Sequence, residues 1–172
     1  MYSIKLTIIL CVLLICRENN FMLKQSAGIV LYRLTDGLPQ VFLVHPGGPF
    51  FRNKDDGAWS IPKGEFIDGE EPLIAAQREF EEETGQPITG KFIKLQPIKQ
   101  KSGKVVHAWA VEGDIDHEKI VSNLFEIEWP PKSGKKTSFP EIDRAGWFTV
   151  DTAKVKIIPG QVGLIEELET LI

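Results

Sequence analysis

Glu79, Glu82 and Glu83 stand three and four residues apart, a spacing that on an α-helix stacks three carboxylates along one face, while Leu73, Ala76 and Phe80 mark the opposite, buried side. Like charges at such separations weaken a helix by roughly 0.2–0.5 kcal/mol per pair, so something positive is expected to face them. An oxygen-only donor set suits a hard divalent cation, magnesium or manganese, better than zinc, which prefers His and Cys. A Glu-rich helix is also a common solvated face, and the helix alone leaves that reading standing. The register around it decides: Gly64, five residues, Glu70, seven residues, then Arg78-Glu79-Phe80-Glu81-Glu82-Glu83-Thr84-Gly85. Seven fixed positions, each matched by chance about 7% of the time, coincide somewhere in such a chain with odds on the order of one in a million.

This string resembles the signature of the Nudix hydrolase superfamily, with Gln86 where that family usually has an aliphatic residue, a packing difference just past the helix end. The likeness in the box covers residues 64–86, and the order of strands and helices extends it over most of 25–172. The resemblance implies a hydrolase that splits a phosphoanhydride by attack of water on phosphorus. It implies Glu79, Glu82 and Glu83 as magnesium ligands, joined by the backbone carbonyl of Lys63. Arg78 would hold the neighbouring carboxylates, Glu70 would brace the preceding loop against the helix, and the general base would be either Glu79 or Glu141. The physical demand is an anionic nucleophile approaching linked phosphates, which divalent cations meet by neutralising the pyrophosphate and acidifying water.

Trp59-Ser60-Ile61-Pro62-Lys63-Gly64 is similar to the Trp-x-x-Pro-Lys-Gly segment of diadenosine tetraphosphate hydrolases, which puts Lys63 near the phosphate chain. Residues 130–144 look most like a bacterial group of Nudix-type nucleoside triphosphate pyrophosphohydrolases. A nucleoside tri- or polyphosphate is therefore the expected substrate, with a dinucleoside polyphosphate as the alternative. A nucleotide-sensing domain without catalysis is the competing class, but such domains commonly lose box carboxylates and this chain keeps all three. An RNA 5′-end pyrophosphohydrolase would need a basic, aromatic channel, for which only 132–136 speaks.

The elements that must position these groups follow from local signals. Pro72 suits a first helical turn, Gly85 ends the helix and Pro87 blocks its continuation, which predicts a helix over 71–84. Ser26–Tyr32 and Val41–Val44, joined through Asp36-Gly37, predict a buried hairpin. From His45 to Gly57 runs a Gly- and Pro-rich loop, long enough for a binding role, whose Arg52 and Lys54 either reach phosphates or are plain solvated charges. A second hairpin is predicted from 88–100 and 105–112, with His107 read as a packed or surface strand residue and not a ligand. Phe125–Trp129 alternates as a strand exposing Glu126 and Glu128. Residues 130–140 read as an irregular basic loop carrying Lys132, Lys135 and Lys136, either for phosphate contact or as bare surface. A last strand is predicted over Ala145–Val150, and a closing helix over Pro159–Ile172 with Val162, Ile165, Leu168 and Ile172 on its apolar side. Trp129 or Phe50 is suited to stacking on a base, and Trp129 equally to filling the core. This order predicts an α/β/α sandwich around a mixed β-sheet, as the resemblance also implies.

With 172 residues, 42% hydrophobic and 26% charged, the chain fits one domain, residues 22–172, behind an apolar segment, 1–21. A net charge of -4 argues against duplex nucleic acid as a partner. A membrane partner is not expected, and the oligomeric state stays open. Both cysteines, Cys11 and Cys16, fall in the first segment, so the body has no disulfide. Leu6–Ile15 has the length of a signal h-region but no small-residue cleavage site follows. Translation from Met22 and a cytoplasmic location are expected, with export or anchoring as the competing reading.

Overall fold

Two apolar runs on either side of Asp36-Gly37 form β1 (Gln25–Thr35) and β2 (Leu38–Pro46), closed by a two-residue turn with φ of 52° and 77°. The computed structural model describes residues 25–66 and 69–172; the segment 1–21 and the readings placed on it lie outside the described residues. The main sheet runs in the order β4 (Ile93–Lys94), β6 (Val105–Glu112), β1, β2, β9 (Ile142–Thr149). β1 and β6 are parallel and the other pairs antiparallel, with β3 (Lys63–Glu65) added to β1 and β5 (Ile98–Lys99) to β6.

Both faces of this sheet are covered, which is why β1 is apolar from Ala27 to Leu31 and does not alternate with polar residues there. Ala27, Ile29 and Leu31 face helix α1 (Pro72–Thr84), whose Ala75, Ala76 and Phe80 are fully buried against them and Phe42. Val30, Val41 and Leu43 face the other way, onto α2 (Val150–Lys156) and α3 (Val162–Glu169), with Leu164, Ile165 and Leu168 buried. The result is the expected α/β/α sandwich around a mixed sheet.

Four expectations are corrected. The long strand over 88–100 is instead β4 and β5, because Pro97 has no N–H for the ladder and the Gln96 amide donates to Glu167 Oε2 at 2.9 Å. The basic stretch is not irregular throughout: Lys136–Pro140 forms β8, paired with β7 (Leu124–Glu128), because Thr137 and Phe139 alternate to meet Ile127 and Phe125. Lys136 therefore lies in a strand opposite Glu128, not in the loop with Lys132 and Lys135. Val150 begins a helix where a strand end was expected, since Thr149 Oγ1 caps the Thr152 amide and turns the chain off the sheet. The closing helix stops at Glu169, which leaves Ile172 44% exposed and gives its expected place in the core to Leu164. Among the described residues no helix is long and apolar enough to cross a membrane.

Candidate active site

Helix α1 is held at both ends by its own sequence. The Glu71 carboxylate accepts from the Leu73 and Ile74 amides at 2.9 and 3.0 Å, Pro72 fills the first turn, and Gly85 closes the other end with φ 72°. With Phe80 locked in the core, the Glu79 and Glu83 side chains are set against β3. Glu83 accepts from the Lys63 amide at 2.9 Å. The Glu79 carboxylate lies against the Gly64 backbone so closely that a Cβ built there would stand 1.7 Å from Oε2.

Arg78 supplies the local positive charge. Its Nε is 3.0 Å from Glu70 Oε1, and its Nη1 is 2.8 Å from Glu79 Oε1 and 3.3 Å from Glu82 Oε2. Glu70 contributes most to pushing the guanidinium pKa upward. One arginine does not neutralise the cluster. Burial pushes the Glu83 carboxyl up to about 7, against the lowering effect of the Lys63 charge. Burial also raises Glu79, Arg78 pulls it down, and Glu82 and Glu141 push it back up.

Glu141 enters this cluster from the junction of β8 and β9. Its amide donates to the Asn123 carbonyl at 2.8 Å, the Asn123 amide donates to the Glu82 carbonyl at 3.3 Å, and the Gly47 amide donates to the Glu141 carbonyl at 2.8 Å. The last turns of α1, the Glu141 junction and the start of the loop after β2 are thus joined through backbone. The Glu141 charge acts on both Glu79 and Glu83, and its carboxylate makes no hydrogen bond among the described residues.

Among the described residues no three His, Cys, Asp or Glu side chains are grouped so that they could hold a metal ion as they stand; Arg78 takes Glu79 and Glu82, and the Lys63 amide takes Glu83. The donor chemistry nonetheless fits a hard divalent cation. The set is all oxygen, burial raises two of its members with neighbouring carboxylates adding to the rise, and Gly64 leaves room for the Glu79 carboxylate against its own backbone.

A cleft of about 510 Å³ opens at Pro140, with Gly48, Pro49 and Arg52 from the loop after β2 and Trp129, Phe139 and Asp143 from β7–β9 lining it. Arg52 and Trp129, far apart in sequence, thus meet in one place. Phe50 is 61% exposed and its ring stands edge-on to Trp129 at 5.6 Å. Lys132 is not among the cleft residues; it sits exposed in the turn between β7 and β8, with φ 64°. Lys54 lies over the Phe51 ring at 4.8 Å, and His107 is bound to Gln25 at 2.8 Å, a packed strand residue as expected. Sequence reasoning missed His45, which it assigned to the loop and which is a fully buried member of β2, and Asp143, its partner at 2.7 Å.

The fold is that of a Nudix domain, and the chain belongs to the Nudix family: the NUDIX domain model matches residues 22–168. That family in general hydrolyses pyrophosphate bonds and typically uses divalent metals. No curated protein sequence matches the chain. Among solved structures it is similar to a Caenorhabditis elegans Ap4A hydrolase in a binary complex, at 20% identity and TM-score 0.55 over 87% of this chain and 97% of that one. It is also similar to the NUDIX domain of Shewanella oneidensis NrtR complexed with ADP ribose, at 18% identity and TM-score 0.59 over 87% and 89%. A mutT/nudix family protein from Listeria innocua follows at 15% identity and TM-score 0.57 over 86% and 92%. At these identities the likeness is one of fold.

Proposed function

We infer that the protein hydrolyses a phosphoanhydride bond of a nucleoside tri- or polyphosphate. The observation that carries this reading is the Glu79, Glu82 and Glu83 cluster against Lys63-Gly64, which feels the Glu141 charge, together with a separate cleft that combines Arg52 with Trp129, whose ring meets Phe50. Two structural neighbours, an Ap4A hydrolase and a NUDIX domain complexed with ADP ribose, favour a nucleotide ligand of this kind.

Glu79, Glu82, Glu83 and the Lys63 carbonyl would hold magnesium or manganese, which when bound supplies positive charge against the linked phosphates and acidifies water. The chain's own residues do the rest. Arg78, tied to Glu70, keeps the Glu79 and Glu82 carboxylates oriented. Trp129 and Phe50 take the base, Arg52 and the Lys63 side chain take phosphate oxygens, and Lys132 contacts a chain that extends past the cleft. Glu141 accepts the proton of the attacking water as its oxygen bonds to phosphorus and the bridging P–O bond breaks. Glu79 is the weaker base candidate because its Oε1 already accepts from Arg78 at 2.8 Å.

The test incubates the protein with magnesium and a panel of nucleoside triphosphates, dinucleoside polyphosphates and sugar nucleotides, with products resolved by chromatography. Turnover confined to the first two groups is expected, and no turnover of any nucleotide would overturn the reading. Glu141→Gln should lower kcat by about a hundredfold or more and remove the acid limb of the pH–rate profile. An unchanged profile moves the base to Glu79.

A further inference from the structure

β2 and β9 pair in register from Gln40 with Thr149 to His45 with Arg144 and then slip, so that Pro46 meets Ile142 and Asp143 is left over as a bulge. Burial records the slip: Ala145 and Trp147 join the core under α1, and so does Ile142, which in an unbroken strand would face the other side. Bulges near functional sites re-aim a side chain. Here the bulge brings Asp143 Oδ1 to 2.7 Å from His45 Nδ1. The His45 ring is completely enclosed, with Trp59 edge-on at 5.2 Å; its Nε2 either donates to the Lys54 carbonyl at 3.0 Å or accepts from Arg144 Nη2 at 2.9 Å, and that Nη2 donates to the same carbonyl at 3.3 Å, so His45 is tied to Lys54 directly or through Arg144. So buried a polar ring persists where both nitrogens find partners.

What His45 joins are the two walls of the cleft. The Lys54 carbonyl closes the loop that carries Gly48, Pro49 and Arg52, and Asp143 stands in the wall with Phe139 and Trp129. Neither residue touches the carboxylates of α1 in any hydrogen bond among the described residues. We propose that His45 and Asp143 are positioning residues that set the separation of the cleft walls and so the affinity for the nucleotide. The proposal rests on the nucleotide-hydrolase reading above. Without the brace, binding must also order the loop, which raises KM and leaves kcat, because Glu79 and Glu83 are set against β3 and Glu141 is held by backbone bonds to Asn123 and Gly47 that do not use the Asp143 side chain.

His45 is enclosed and its loss endangers folding, whereas Asp143 is 28% exposed and suits substitution. The experiment compares wild type, Asp143→Ala, Asp143→Ser and Asp143→Asn in the full chain with magnesium, on each panel nucleotide that wild type hydrolyses, with melting curves to confirm the fold. Asp143→Ala and Asp143→Ser should raise KM about tenfold with kcat within about twofold, and Asp143→Asn, which still accepts from the imidazole, should stay near wild type. An unchanged KM in whichever of the Ala and Ser variants folds, an equal rise in Asp143→Asn, or a parallel fall in kcat overturns the proposal. If wild type hydrolyses no nucleotide, the functional reading fails first and takes this inference with it.

Discussion

Glu83→Gln is expected to cut turnover by about a hundredfold or more and, in the presence of a chelator at pH 8, to make the protein more stable than wild type. The two effects share one cause. Glu83 is buried deeply enough that its carboxyl is pushed from 4.5 up to about 7, with the Lys63 amide as its hydrogen-bond donor at 2.9 Å. Between those two values the folded chain keeps the proton that the unfolded chain has lost, so stability from this group is full below about 4.5 and falls as pH rises through about 7. A shift of this size corresponds to a penalty on the order of 3 kcal/mol in the ionised state. Gln keeps the shape and the acceptor for the Lys63 amide but carries no charge to desolvate. Its melting temperature should therefore exceed that of wild type by several degrees at pH 8 and match it at pH 4. Magnesium should narrow the gap at pH 8 by stabilising wild type alone. A variant that is inactive but no more stable at pH 8 would show that burial of the Glu83 charge is not what this helix was carrying.

The parts of the molecule that could be read before folding are those whose signals are local. Carboxylate spacing, Pro72 and Gly85 lie within one helix, so α1 and its acidic face were legible from the chain alone. The nonlocal parts were not. α2 is seven residues long, too short to display a helical period, and β8 hides its alternation behind Lys135 and Lys136. The cleft depends on the Gly47 to Glu141 backbone bond and on the bulge at Asp143, neither of which leaves a periodic trace. Glu141 could be singled out only through the family resemblance, since nothing in its neighbours predicts that Glu79 and Glu83 will feel its charge. Arg52 and Trp129 were picked for chemistry, and their meeting at one cleft is a product of the hairpin β7–β8 folding back onto the loop after β2.

Gly64→Ala should inactivate the protein while leaving it folded. Gly64 lies in β3, paired with Ala27, and its φ is not in the left-handed region, so no turn requires it. What the missing Cβ permits is the approach of a side chain: a methyl group there would stand 1.7 Å from Glu79 Oε2 and 2.0 Å from its Cδ. A carboxylate at the end of a flexible chain yields more cheaply than a strand does, so Glu79 is expected to swing away and its 2.8 Å contact with Arg78 to break. Turnover should fall by about a hundredfold or more because the displaced group belongs to the reacting cluster, while stability should change by no more than about 1–2 kcal/mol. Gly28 is the instructive contrast, since a Cβ there meets the Pro62 carbonyl and the Lys63 Cβ, both at 2.6 Å, with only strand backbone and a fixed side-chain root to give way. Gly28→Ala should therefore lower the melting temperature markedly, by the overpacking cost of about 1–3 kcal/mol or more. Paired melting curves and kcat/KM values separate the two cases, and wild-type turnover in Gly64→Ala would remove Glu79 from the reacting cluster.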